Sequence, residues 1–139
     1  MGLLSRFFKK KTVIELPDPV FGRITYDQGI WTFLPTKPDD GFMIGVDAPE
    51  AGPTERQRAF FSRLRSDLAE YERRARDYMS SRVEPSVMVS ELSIYAVQIE
   101  DDEATRRGEF TLEMSDDDAS IVHRVSFRAG EPMDYGFDD

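Results

Sequence analysis

The stretch that decides the fold is PTERQRAFFSRLRSDLAEYERRARDY, residues 53–78. Thr54 followed three residues later by Gln57 has the form of a capping box, in which each side chain satisfies an orphan N–H of the other residue. Phe60, Leu64, Leu68, Tyr71, Ala75 and Tyr78 recur at spacings of three and four, and with Phe61 they draw one apolar stripe. Glu70–Arg74 and Glu72–Arg76 stand four apart with the acid first, the better orientation on a helix. Pro85 ends the run, so the helix fades near Ser80 or Ser81. At about 1.5 Å per residue it runs roughly 40 Å, long enough to cover a sheet.

Outward from the helix, the pattern changes to alternation. Val20, Ile24 and Tyr26 share one face of a strand over Val20–Tyr26, and Asp27-Gln28-Gly29 turns the chain where glycine accepts a positive φ. Ile30–Leu34 alternates Trp31 and Phe33 against Ile30, Thr32 and Leu34. Pro38-Asp39-Asp40-Gly41 turns again, and Phe42–Asp47 places Phe42, Ile44 and Val46 together. Beyond the helix, Val87–Glu100 is apolar on both faces in its middle, the mark of a central strand. Phe110, Leu112 and Met114 alternate with Glu109, Thr111 and Glu113; Ile121, His123, Val125 and Phe127 alternate with Val122, Arg124, Ser126 and Arg128. The expected architecture is α+β: two three-stranded antiparallel meanders in a sheet packed by one long central helix. The acidic, aromatic tail from Glu131 to Asp139 fits either a closing strand or a loose end.

The chain has 139 residues, suited to one domain over residues 12–139 preceded by a short basic segment. Without cysteine it has no disulfide, no thiolate zinc site and no cysteine nucleophile, and it fits a reducing, cytoplasmic setting. A net charge of -9 opposes nucleic-acid binding, which depends on neutralising phosphates. The charge is unevenly placed: +4 over residues 1–11, -5 over 12–52, +3 over 53–83 and -11 over 84–139. An arginine-rich helix between acidic flanks suggests a basic helix lying on an acidic sheet, and an acidic surface that steers a basic partner. Residues 1–11, with Leu3, Leu4, Phe7 and Phe8 beside Arg6 and Lys9–Lys11, form a cationic amphipathic stretch able to touch an anionic membrane surface.

No motif dictates chemistry, and the sequence assigns no catalytic residue, cofactor or metal site. His123 is the only histidine, and an enzyme built on it would need a carboxylate alongside. Asp101-Asp102-Glu103 and Asp116-Asp117-Asp118 are the densest carboxylate clusters, and neither has the alternating layout of a calcium loop. Both fall at expected hairpin turns, where two loops at one end of a sheet would add their fields. Asp101, Asp102, Glu103, Asp116, Asp117 and Asp118 are therefore the candidate partner-binding residues, with a basic protein as the partner.

Asp18-Pro19-Val20-Phe21-Gly22 leading into a strand, Trp31 one hairpin later, the long central helix, Gly108-Glu109-Phe110, an Asp-rich turn and His123-Arg124-Val125 together resemble a family of uncharacterised small bacterial proteins. The resemblance spans most of residues 18–130 and implies no activity. Some of those proteins look like immunity proteins, which bind and mask a toxin. The expected function is a non-catalytic protein-binding module; its rivals are a small enzyme using His123 and a membrane-surface accessory protein held by residues 1–11.

Overall fold

The structure, a computed structural model, describes residues 13–35, 41–118 and 120–138. The basic N-terminal segment and most of the Pro38–Gly41 turn lie outside the described residues. Among the described residues the sheet has eight strands in sequence order: β1 Ile14–Asp18, β2 Gly22–Asp27, β3 Ile30–Phe33, β4 Met43–Asp47, β5 Ser93–Ile99, β6 Glu109–Ser115, β7 Val122–Arg128 and β8 Glu131–Asp138. Neighbours are antiparallel except β4 and β5, which run parallel and are joined by the helical crossover. The fold is thus α+β as expected, but each meander has four strands, not three.

The two additional strands lie at the sheet's edges. β1 contains Pro17, which supplies no N–H to a ladder and weakens the strand signal; an edge position tolerates it. β8 follows a two-residue turn in which Ala129 (φ 50°) and Gly130 (φ 86°) both adopt left-handed conformations. Gln28 (φ 49°) and Gly29 (φ 91°) make the matching turn between β2 and β3, and both have the φ signs of the type I′ turn that suits strand twist.

The central helix is two helices, α1 Glu55–Ser66 and α2 Leu68–Met79, meeting at Asp67 with φ -115° and ψ 20°. Ser66 Oγ donates back to the Ser62 carbonyl at 3.1 Å, a bond that bends helices, and aspartate is a weak helix former. The break leaves Phe61, Leu64, Ala75 and Met79 as the buried spine, with Phe60, Leu68, Tyr71 and Tyr78 half-buried around it. A third helix, α3 Asp102–Arg106, occupies what the sequence suggested was a turn. Val87–Glu100 is a strand only from Ser93, preceded by a 3-10 turn at Val89–Glu91. A bulge between Ile94 and Ala96 resolves its two-sided apolar pattern, because the extra residue, Tyr95, exchanges the faces of the flanking positions.

Register places Ile24, Trp31, Val46, Ile99, Phe110 and Phe127 on one face of the sheet, beneath the helices. Phe61 packs on Phe21 (ring centroids 5.1 Å apart), and the Tyr71 ring stands perpendicular to both Phe110 and Phe127. The capping box forms, with Thr54 Oγ1 accepting from Gln57 N–H at 3.1 Å and Gln57 Oε1 from Thr54 N–H at 2.9 Å. Gln57, fully buried, also donates to the Asp47 and Glu100 carbonyls at 2.8 and 2.9 Å. It ties the start of α1 to the ends of β4 and β5.

Candidate interaction surface

The face of the sheet turned away from the helices is polar. One row of paired residues crosses all eight strands: Glu15, Thr25, Thr32, Gly45, Gln98, Thr111, Ser126 and Asp134. Around this row, the strand register adds Asp27, Asp47, Glu109, Glu113, Glu131 and Asp138, against only Arg23, Arg124 and Arg128. The arginines are used locally: Arg23 meets Glu15 at 3.2 Å, Arg128 meets Glu109 at 2.7 Å, and Arg124 pairs with Asp138. Among the described residues Asp27, Asp47, Glu113, Glu131 and Asp134 have no ion pair.

Two carboxyl groups of this face shift on folding. Burial pushes the Glu100 carboxyl above its ordinary value, the Thr111 hydroxyl opposes this, and the charges of Asp47, Asp101 and Glu109 add to the rise. Burial also raises Glu113, with Arg124 opposing and Asp138 reinforcing. Burial is the leading cause at both positions, and neighbouring charge is secondary.

Several helix arginines are engaged in the other layer. Arg58 reaches Asp18 at 2.7 Å, Arg74 joins Glu70 at 3.0 Å and donates to the Gly130 carbonyl, and Arg76 joins Glu72 at 3.0 Å and donates to the Leu92 carbonyl. Basic helices and acidic sheet are therefore opposite sides of the molecule, with the apolar layer between them.

The two loop clusters do not share an end. β6 runs from one to the other, seven residues, so they stand about 20 Å apart at opposite ends of the sheet. Consecutive connections in a meander alternate ends, which corrects the expectation that their fields add. Asp101 is the N-cap of α3, accepting from Ala104 N–H at 2.9 Å; Asp102 accepts from Thr54 Oγ1 and Arg56, each at 2.6 Å; Glu103 meets Arg106 at 2.7 Å. That cluster builds the helix junction. Asp116, Asp117 and Asp118 are exposed, with Asp118 N–H donating to Asp116, at the end of the sheet where Asp138 closes β8.

His123 is 4% exposed, on the helix-facing side. Its Nδ1 lies 2.7 Å from the Tyr135 hydroxyl, with the two rings stacked at 5.9 Å. Burial lowers its pKa below the ordinary 6.5, and Asp116 offsets part of this. The cavity beside it, about 230 Å³, is lined by the polar Arg82, Glu84 and Ser86 as well as by Val87, Ile121, Tyr135 and Phe137. Its hydrogen-bond partner is a phenol, not the carboxylate an acid–base pair would require. Trp31 is a core residue whose Nε1–H donates to the Pro49 carbonyl at 2.8 Å. Asp18, in the motif that carries the family resemblance, caps the β1–β2 turn by accepting from Val20 and Phe21 N–H at 2.9 and 3.0 Å.

Among the described residues no group of three or more potential ligands is arranged for a metal ion, and no helix is long and apolar enough to cross a membrane. No protein-family model, curated protein or solved structure matches this chain. The sheet's outer face was missed as a surface because its acids are dispersed over distant strands. The alternation of Glu109, Thr111 and Glu113, and of Asp134, Gly136 and Asp138, was the available signal.

Proposed function

We propose that this chain is a non-catalytic binding module that engages a basic protein partner through the acidic outer face of its sheet, in the manner of immunity-type masking. The observation that carries the reading is the outer face itself. Its carboxylates outnumber its arginines. A cationic partner would relieve that imbalance, and long-range attraction would act on the rate of encounter. The organisation of His123 supports the same reading, since its ring is buried against Tyr135.

The test is capture by the whole chain, compared with a variant carrying Glu15→Gln, Glu113→Gln and Asp134→Asn. Proteins retained by the parent and lost by the variant are expected to be basic. Retention of acidic or neutral proteins, or an unchanged set on the variant, contradicts the reading.

A further inference from the structure

We propose that the open edge of β8, from Asp134 to Asp138, is the docking strand for an extended segment of the partner in which basic and apolar residues alternate. This rests on the reading of the chain as an acidic binding module. Among the described residues β8 is the last strand of the sheet, bonded to β7 on one side only. An unpaired edge offers a row of main-chain donors and acceptors that a partner strand can take up. The other edge, β1, is less suited, because Pro17 removes a donor from it.

Register fixes what such a segment would meet. Asp134, Gly136 and Asp138 lie on the acidic face, opposite Ser126, Arg124 and Val122. Tyr135 and Phe137 lie on the other face, opposite Val125 and His123, and Phe137 is 51% exposed. Residues 131–138 contain Glu131, Asp134 and Asp138 and no cation. A strand added here would place one side chain beside Asp134, where lysine or arginine fits, another beside Asp138, which already pairs with Arg124, and the intervening ones beside the exposed Phe137 ring. The bulge at Met133 and the proline at Pro132 interrupt the edge, which confines docking to Asp134–Asp138.

Two observations favour a basic partner over a second copy of this chain. Self-pairing of β8 would bring carboxylates together with no cation on either strand, and like charges opposed across strands destabilise pairing. Tyr135 N–H donates to the carboxylate of Asp134 at 2.9 Å. A cation beside Asp134 would draw that carboxylate away and release the N–H to an incoming carbonyl, which couples charge recognition to strand addition.

The experiment uses the full chain and a capped peptide of about seven residues alternating lysine with valine, beside two controls: the same peptide N-methylated along one edge, and its glutamate counterpart. The lysine peptide is expected to bind and to slow amide hydrogen exchange at Tyr135 and Phe137. N-methylation on the pairing edge, or Asp134→Lys in the protein, is expected to weaken it about tenfold or more. Circular dichroism of Asp134→Lys should match the parent, because Asp134 is exposed. Protection elsewhere, or indifference to N-methylation, overturns the docking strand while leaving an acidic binding module standing. A dimer of the chain that protects the same amides overturns the choice of occupant. Failure of the lysine peptide to bind better than its glutamate counterpart at low salt removes both the docking strand and the broader reading.

Discussion

At the scale of single residues, pH dependence separates carboxylates that hold the fold from those that burden it. Burial pushes Asp18 up, but the Arg58 hydrogen bond, the Phe21 and Val20 N–H groups and the charge of Arg58 outweigh it, so its pKa lies below the ordinary 3.8. A carboxyl lowered on folding adds stability above its unfolded pKa, lost as pH falls through the folded value. Asp18→Asn should therefore lower Tm at pH 7, and the difference from the parent should close below pH 3.8. Glu100 has the opposite sign. Its carboxyl is raised on folding, so its contribution is complete below 4.5 and lost as pH rises through the folded value. Glu100→Gln should raise Tm at pH 7 and converge on the parent below 4.5. Thermal melts across pH decide both; parallel curves would remove these assignments. For His123, glutamine can still reach the Tyr135 hydroxyl, so His123→Gln should shift Tm and leave the affinity for a captured partner unchanged. Lost affinity at unchanged stability would return a functional role to the ring.

At the scale of elements, the buried spine makes graded predictions. Leu64 is 3% exposed, and Leu64→Ala should cost about 2–5 kcal/mol in urea unfolding. Leu68, half-buried beside the break at Asp67, should cost less when changed to alanine. Gln57→Ala strands two carbonyls and a capping N–H, which at about 1–3 kcal/mol per buried group places it among the most damaging single changes in the molecule. Equal losses at Leu64 and Leu68 would mean the helix is continuous in solution. The same elements mark how far the sequence could be read. The capping box, the Gln28-Gly29 turn and the alternation of β6 and β7 are local, and each was legible. The break at Asp67 depends on a bend that Ser66 makes by bonding back to Ser62, which hydrophobic spacing does not register. β1 was hidden by Pro17, and β8 by the ambiguity of an acidic tail with one neighbour. Gln57 looked like a cap; its bonds to Asp47 and Glu100 are visible only once β4 and β5 lie side by side.

At the scale of the whole molecule, the arrangement is a layer of arginine-bearing helices, an apolar layer, and a sheet whose far side is acidic. The charge pattern along the sequence suggested a basic helix on an acidic sheet, but not that an apolar layer would separate the two and turn the acids to the far side. It concentrated attention on loop clusters, one of which is consumed in building α3. On the proposed function, the sheet's outer face, rather than the Asp101–Glu103 junction, draws a basic partner. The direct measurement is the association rate of a captured basic partner as a function of salt, over a range where the Debye length falls from about 30 Å to about 8 Å. Two neutralised variants are compared with the parent: Glu15→Gln, Glu113→Gln and Asp134→Asn on the face, and Asp102→Asn with Glu103→Gln at the junction. Slower association and a flatter salt dependence are expected for the face variant, and a rate near the parent's for the junction variant. A face variant that associates as fast as the parent, with the same salt dependence, would contradict the proposed function.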